Sequence, residues 1–531
     1  MLATLVTAVI NGLRGELVRV EIDVAPGLPV CHIVGLPDAA LSEARERVRG
    51  AIRNSGFEYP MSRITVNLAP ADRRKRGSAY DLAIAVGILV ASGQIRRGGG
   101  TWALLGELSL SGTVEPVAGV LPMVATLARQ GYRRVIVPAA NVGEAQLVGG
   151  IEAIGVDGLD DAARLVAGPR GRTAARATRR TPVELSGSRA AETEHASARG
   201  ATLAGQLEPV DLADVRGQGH ARWALEVALT GGHNMLMVGP PGAGKTLLAR
   251  SIPGLLPSLD DDESLEVTVI ESVAGMLPVR GGAGFTRQRP FRAPHHTSSY
   301  AALVGGGPGL LPGEATLANH GVLFLDELAE FDRQALDALR QPLEEGIITI
   351  ARASGHIRYP ARFQLIAAMN PCRCGHRYDE QKPCRCPSGD PERYVRRVSG
   401  PLVDRIDLQI EMSRVPSEAL LRGPAPESSA VVRERIAAAH ALGHARNGGK
   451  PNARLTATAL LEVCALDRAA DGTLAELGEL DHLSARSVHR LLRVARTIAD
   501  LADRGRVTKE DVLSAHTLRD PGASLDDRLA A

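Results

Sequence analysis

Within Gly239-Pro-Pro-Gly-Ala-Gly-Lys-Thr246 the chain gathers three glycines, a lysine and a hydroxyl. That combination suits phosphate. Glycines let backbone amides turn toward an anion, Lys245 can reach the outer phosphates, and the Thr246 hydroxyl can hold a magnesium ion. A chance glycine-rich turn would lack the context found here. Asn234-Met-Leu-Met-Val238 reads as a short buried strand before the loop, and Leu247-Leu-Ala-Arg250 opens a helix after it, whose N-terminus favours anions. A second apolar run, Val322-Leu-Phe-Leu-Asp-Glu327, ends in two acids. Asp326 is expected beside magnesium and Glu327 beside the attacking water, because phosphoryl transfer depends on positioning and charge more than on covalent chemistry. Gly239, Pro240, Pro241, Gly242, Ala243, Gly244, Lys245, Thr246 and Asp326 are therefore the expected nucleotide-binding residues, with ATP and Mg2+ as cofactors. A solvated strand end is the alternative for the two acids.

Four of the six cysteines crowd into one loop, as Cys372-Arg-Cys374 and Cys384-Arg-Cys386. Two Cys-x-Cys pairs can close a tetrahedral site around a structural Zn2+, with Gly375 and Pro383 turning the loop. His376 is an alternative ligand, and four free thiols are the alternative to a metal. Cys-x2-Cys is the commoner zinc spacing. Four thiolates leave no open coordination position, so no catalysis is expected there. Cys31 and Cys464 stand apart, which is not the pattern of a disulfide framework.

The elements that must carry these residues belong to several domains, since 531 residues exceed one hydrophobic core. With 62 basic against 60 acidic side chains, net charge is silent about nucleic acid. An aromatic content of 3% disfavours a single-strand platform of stacked rings. The apolar start, Met1 to Ile10, has no basic n-region and runs into alternating Val18, Val20, Ile22 and Val24, so it reads as strand and not signal peptide. No window offers the apolar stretch of about 20 residues that a membrane span needs, and the cytoplasm is the expected compartment.

Residues 1–167 alternate strand-like runs (Val18 to Val24, Arg63 to Leu68, Val135 to Val137) with helical ones (Ala39 to Asn54, Tyr80 to Ser92, Val120 to Gln130), an α+β pattern. Residues 168–208, rich in Arg, Ala, Ser, Thr and Gly, read as a flexible linker. Residues 209–414 read as a doubly wound α/β nucleotide domain. Residues 415–531 are expected to be helical, with runs at 428–446, 456–468 and 484–504 and a last one starting near Thr508.

Several of these motifs carry a family resemblance. Asp326-Glu327 resembles the Walker B of AAA+ ATPases, and Ile366-Ala-Ala-Met-Asn-Pro371 resembles their sensor 1 strand, with Asn370 as the sensor. Leu402-Val-Asp-Arg-Ile-Asp407 is similar to the arginine-finger segment of the clade holding magnesium chelatases and MCM helicases, which implies that Arg405 reaches a neighbouring subunit's γ-phosphate. Leu483 to Arg493 resembles a sensor 2 helix, with Arg486 the first choice and Arg490 and Arg493 close rivals. A surface ion pair is the alternative for each lone arginine. A finger acting in trans implies a homo-oligomeric ring, a hexamer.

Gln288 to Gly307 is similar to a magnesium-chelatase-like signature. Gly346 to Tyr359 alternates as a β-hairpin would, and such insertions point into the pore of related ring helicases. Arg352, His356 and Arg358 are then candidate DNA contacts, with a hairpin packed at an interface as the alternative. Over nearly its whole length outside the linker the chain resembles the YifB/ComM family of magnesium-chelatase-like ATPases, including Ile33-Val-Gly-Leu-Pro-Asp38 and Arg76-Gly-Ser-Ala-Tyr-Asp-Leu82 in front of the core and Arg493-Val-Ala-Arg-Thr-Ile-Ala-Asp-Leu501 behind it. The resemblance implies an α/β multidomain chain: an N-terminal α+β Lon-protease-like domain, a central AAA+ P-loop domain and a C-terminal helical lid. It implies a DNA helicase promoting branch migration in recombination or natural transformation. One alternative is a magnesium-chelatase-type ATPase subunit for metal insertion. A second is a Lon-like protease, for which Ser78 stands at the nucleophile position but Leu121 stands where the family keeps its lysine base.

Overall fold

The computed structural model describes residues 1–35, 39–70, 77–98, 100–168, 209–277, 284–307, 310–352, 355–379 and 381–519. The expected linker, beyond Gly168, lies outside the described residues, as do Leu36 to Asp38 and Arg76 of the family motifs. Internal packing divides the chain into two units. One comprises Met1–Thr202 with Ser264–Thr286 and Thr349–Arg358; the other comprises Leu203–Glu263, Arg287–Ile348 and Tyr359–Ala531.

The first unit is built on a seven-stranded mixed sheet. Its strands are β1 (Leu2–Asn11), β2 (Arg14–Ala25), β3 (Val30–Val34), β4 (Arg63–Ala69), β5 (Trp102–Leu104), β6 (Arg134–Pro138) and β7 (Glu152–Val156), in spatial order β3-β4-β2-β1-β5-β6-β7. β1 and β2 form an antiparallel hairpin in register from Leu2↔Asp23 to Asn11↔Arg14, closed by Gly12 at φ +63°. From β1 to β7 the pairings are parallel. Leu5 and Val9 of β1 enter the core that holds α2 (Asp81–Ala91), whereas Val6 and Ala8 enter a second core with α3 (Val120–Arg129) on the opposite face. Burial on both faces explains why β1 is a continuous apolar run and not an alternating one. α1 (Ala39–Asn54) joins the first core through Val48, Ala51 and Ile52.

The second unit centres on a five-stranded, wholly parallel sheet. β8 (Met235–Val238), β9 (Phe291–Arg292), β10 (Val322–Leu325), β13 (Gln364–Met369) and β14 (Leu408–Glu411) run in the order β9-β10-β13-β8-β14; β11 (Ile347–Arg352) and β12 (Gly355–Pro360) form a separate hairpin, most of which, Thr349–Arg358, belongs to the first unit. β8 and β10 are buried at every residue, as expected of a sheet covered on both faces. α4 (Gly219–Gly231), α5 (Lys245–Arg250) and α6 (Arg340–Glu345) belong to this unit.

Beyond Pro416 the described residues form helices and no strand: a short one at Ser417–Arg422, then α7 (Ser429–Arg446), α8 (Ala457–Cys464), α9 (Arg468–Leu480), α10 (Ala485–Leu501) and α11 (Lys509–Thr517). The run expected at 456–468 stops early, because Ala465 turns left-handed at φ +45°. Asp467 then caps a further helix, α9, by accepting from the Ala470 amide at 2.7 Å. Leu491, Leu492, Val494 and Ala495 of α10 share one core with Ala224, Leu225 and Ala228 of α4 and with the sheet. Among the described residues no helix is long and apolar enough to cross a membrane.

Candidate nucleotide-binding site

β10, β13 and β8 are neighbours running in one direction, so their carboxyl ends fall on one edge of the sheet. The residues that follow them, Asp326, Asn370 and Gly239, therefore converge despite their separation along the chain. Lys245 donates to the Gly239 carbonyl at 2.6 Å, the Pro240 carbonyl at 3.0 Å and Asn370 Oδ1 at 3.1 Å. Thr246 Oγ1 donates to Asp326 Oδ2 at 2.6 Å. Gly242 and Gly244 hold φ +82° and +92°, a region that side chains resist, and so bend the loop around its own lysine.

The loop, Asp326, Glu327, Met369 and Asn370 line a cavity of about 320 Å³. This donor set fits a magnesium nucleotide: a buried ammonium and glycine-bent amides for phosphate, and two oxygens close together for a hard cation. Burial pushes the Lys245 ammonium down to about 8, against the pull of the Asp326 and Glu327 carboxylates.

Glu327 itself sits at φ +52°, left-handed, with its side chain half exposed and its Oε2 3.2 Å from His296 Nδ1. The imidazole is thus close enough to this carboxylate to bear on its direction. Residue types and spacing gave His296 no role. Its signal was the His295-His296 pair inside the segment 288–307, which was recognised only as a family signature.

Neither Arg405 nor Arg486 lines this cavity. Both bind one carboxylate, Glu344 on α6; Arg486 Nη2 stands 3.2 Å from Glu344 Oε1, and Arg405 Nη2 contacts the same oxygen. The rivals point elsewhere. Arg490 is buried and donates to the Ile406 carbonyl at 3.4 Å, and Arg493 donates twice to the Leu455 carbonyl, at 2.9 and 2.6 Å. Of Arg486, Arg490 and Arg493 on α10, only Arg486 is gathered with Arg405.

On β12, His356 and Arg358 are exposed and lie two residues apart, on one face of the strand. Ile357 between them faces the other way, toward Gly12 at the β1–β2 turn. The Arg352 side chain lies outside the described residues. Ser78 donates to the Glu107 carboxylate, and Leu121 is buried at the start of α3 with its amide bonded to Ser272 Oγ at 3.3 Å. In the cysteine loop, the sulfurs of Cys372, Cys374, Cys384 and Cys386 all lie within 4.8 Å of one another. His376 stands outside that group, its Nδ1 2.9 Å from Asp379 Oδ2.

Three family descriptions match successive parts of the chain. The family described as Magnesium chelatase, subunit ChlI, matches residues 211–420; Subunit ChlI of Mg-chelatase matches residues 20–141; and Magnesium chelatase, subunit ChlI C-terminal, matches residues 426–519. A Mycobacterium tuberculosis protein is 44% identical over 97% of this chain and 98% of its own length. YifB of Escherichia coli is 41% identical over 96% of this chain and 95% of its own. The competence protein ComM of Haemophilus influenzae is 41% identical over 92% of both chains.

Proposed function

The chain belongs to the YifB/ComM family of magnesium-chelatase-like AAA+ ATPases, and from that premise we propose that it is a hexameric, ATP-driven DNA helicase that promotes branch migration during recombination or natural transformation. In this reading residues 1–167 form a Lon-protease-like domain, 168–208 a linker, 209–414 the AAA+ core and 415–531 a helical lid. The Gly239–Thr246 loop holds ATP, Thr246 and Asp326 hold magnesium, Glu327 orients the attacking water, and Asn370 senses the γ-phosphate.

One observation carries the ring. Arg405 meets Glu344 away from the cavity of its own chain, as expected of a finger offered to the next subunit, and Arg486 joins it there. The exposed His356 and Arg358 support a contact with DNA phosphates, joined by Arg352. The family descriptions favour a second reading, a chelatase-type subunit for metal insertion; the near-complete match to a protein named for competence supports the DNA reading over it. A Lon-like protease has less support, since the partner of Ser78 is the Glu107 carboxylate and Leu121 is buried. The proposal places a structural zinc in the cysteine loop and the protein in the cytoplasm.

The test pairs ATP hydrolysis with migration of a Holliday junction. The intact protein is expected to do both. Glu327→Gln should retain nucleotide binding while turnover falls about 10²–10³-fold and junction movement stops. Hydrolysis without binding or remodelling of any DNA would remove the helicase assignment.

A further inference from the structure

The loop that follows β13 carries few apolar side chains of its own. Between Cys372 and Cys386 there is no Leu, Ile, Val, Met or Phe, and residues 381–385 are all exposed. A segment of this kind needs a cross-link to hold one shape. Its sulfurs supply the geometry for one. Cys372 and Cys374 Sγ stand 3.5 Å apart, Cys372 and Cys384 3.7 Å, and Cys374 and Cys384 3.6 Å. Four thiolates held about 2.3 Å from one central zinc ion lie about 3.8 Å from each other. A disulfide would bring two of them to about 2.05 Å and leave the others out. Here all four cysteines are free and mutually close. Asp379 engages both His376 and Arg414 Nε, each at 2.9 Å, and so ties the imidazole away from the sulfurs.

The same loop bears on the phosphate site at two points. Gly375, at φ +81° between the two cysteine pairs, lies so close to the phosphate loop that a Cβ there would come within 2.4 Å of Pro241 Cδ and 2.7 Å of its Cγ. Pro241 lines the nucleotide cavity. Cys372 follows two residues after Asn370, which accepts from Lys245.

We propose that Cys372, Cys374, Cys384 and Cys386 bind one Zn2+ that holds Gly375 against Pro241, so that metal occupancy sets the shape of the phosphate loop and its affinity for nucleotide. The second half of this statement rests on the nucleotide reading of the cavity; the first half does not. Zinc acts here as a buttress and takes no part in hydrolysis.

Elemental analysis of the full-length protein, purified without chelator, should give one zinc per chain, lost in Cys374→Ser/Cys384→Ser. Stripping the wild-type protein with a chelator should weaken binding of a fluorescent ADP about tenfold, and returning Zn2+ should restore it. Because the thiol variant could unfold the loop outright, Gly375→Ala provides the second reading: zinc retained, ADP binding weakened about tenfold by the added Cβ against Pro241. Lys245→Ala should lose ADP and keep zinc, which separates the two sites. Protein without zinc whose four thiols all titrate would overturn the metal site. Equal ADP affinity in stripped, reloaded and Gly375→Ala protein would overturn the buttress. No ADP binding in zinc-replete wild type would instead overturn the nucleotide reading and, with it, the buttress, leaving the zinc count intact.

Discussion

The two sheets treat their polar residues in opposite ways. In the first unit, Asp81 at the start of α2 is fully buried and closed off by Arg47, at 2.7 and 3.2 Å, and by the Leu108 amide; Ser78 nearby is satisfied by Glu107. In the second unit, Asp326 and Glu327 stand at a strand end with partners that a ligand can replace, a threonine hydroxyl and an imidazole. A sheet with strands running both ways scatters its carboxyl ends. A parallel sheet collects them, and with them the loops that carry chemistry. The lesson is that a strong local hydrogen-bond arrangement marks structure in one sheet and function in the other, and exchangeability of the partner separates the two.

Three substitutions test that distinction. The largest effect belongs to Arg405→Ala, expected to lower turnover about 10³-fold with nucleotide binding kept. Mixing it with Lys245→Ala should recover part of the activity, because a mixed ring pairs an intact loop on one subunit with an intact arginine on the next. Absence of any recovery in the mixture, measured by steady-state hydrolysis, would place Arg405 outside a shared site. Next comes His296→Ala, which frees the Glu327 carboxylate: kcat should fall about tenfold with KM unchanged, and His296→Asn should regain part of it. The smallest effect on catalysis is expected at Asp81→Asn, where hydrolysis should stay near the wild-type rate. There the readout is stability. Burial raises the Asp81 carboxyl to about 6 despite Arg47, so the folded unit holds a proton that the unfolded chain has released. Its contribution is fully present below about pH 4 and is lost as pH rises through about 6, on the order of 3 kcal/mol in all. Urea unfolding followed at Trp102 should show that loss in the wild type and not in Asp81→Asn.

Much of the second unit was legible in the sequence because its signals are local. The apolar runs Met235–Val238 and Val322–Leu325 announce buried strands, and the residues after them announce phosphate chemistry. Parallel pairing then joins Lys245, Asp326 and Asn370 without any further information. His296 was not legible in role: it comes from a loop of irregular backbone, and only the fold brings it to Glu327. The shared hold of Arg405 and Arg486 on Glu344 was hidden for the same reason, as all three lie far apart in sequence. α9 escaped notice because Gly472 and Gly478 interrupt its pattern, and what establishes it is the Asp467 cap. In the first unit, the ends of α1 were plain from Ala39 to Asn54, whereas the two-sided burial of β1 needs α3 on its far face to be understood.

The ammonium of Lys245, bonded to two carbonyls and an amide oxygen and pushed down to about 8, also has a calorimetric meaning. At mildly alkaline pH part of the population carries a neutral amine, and an arriving phosphate favours the charged form. Nucleotide uptake there is linked to capture of a fraction of a proton from the buffer, so the observed heat of binding shifts with the buffer's own enthalpy of ionisation, and affinity declines as alkalinity rises.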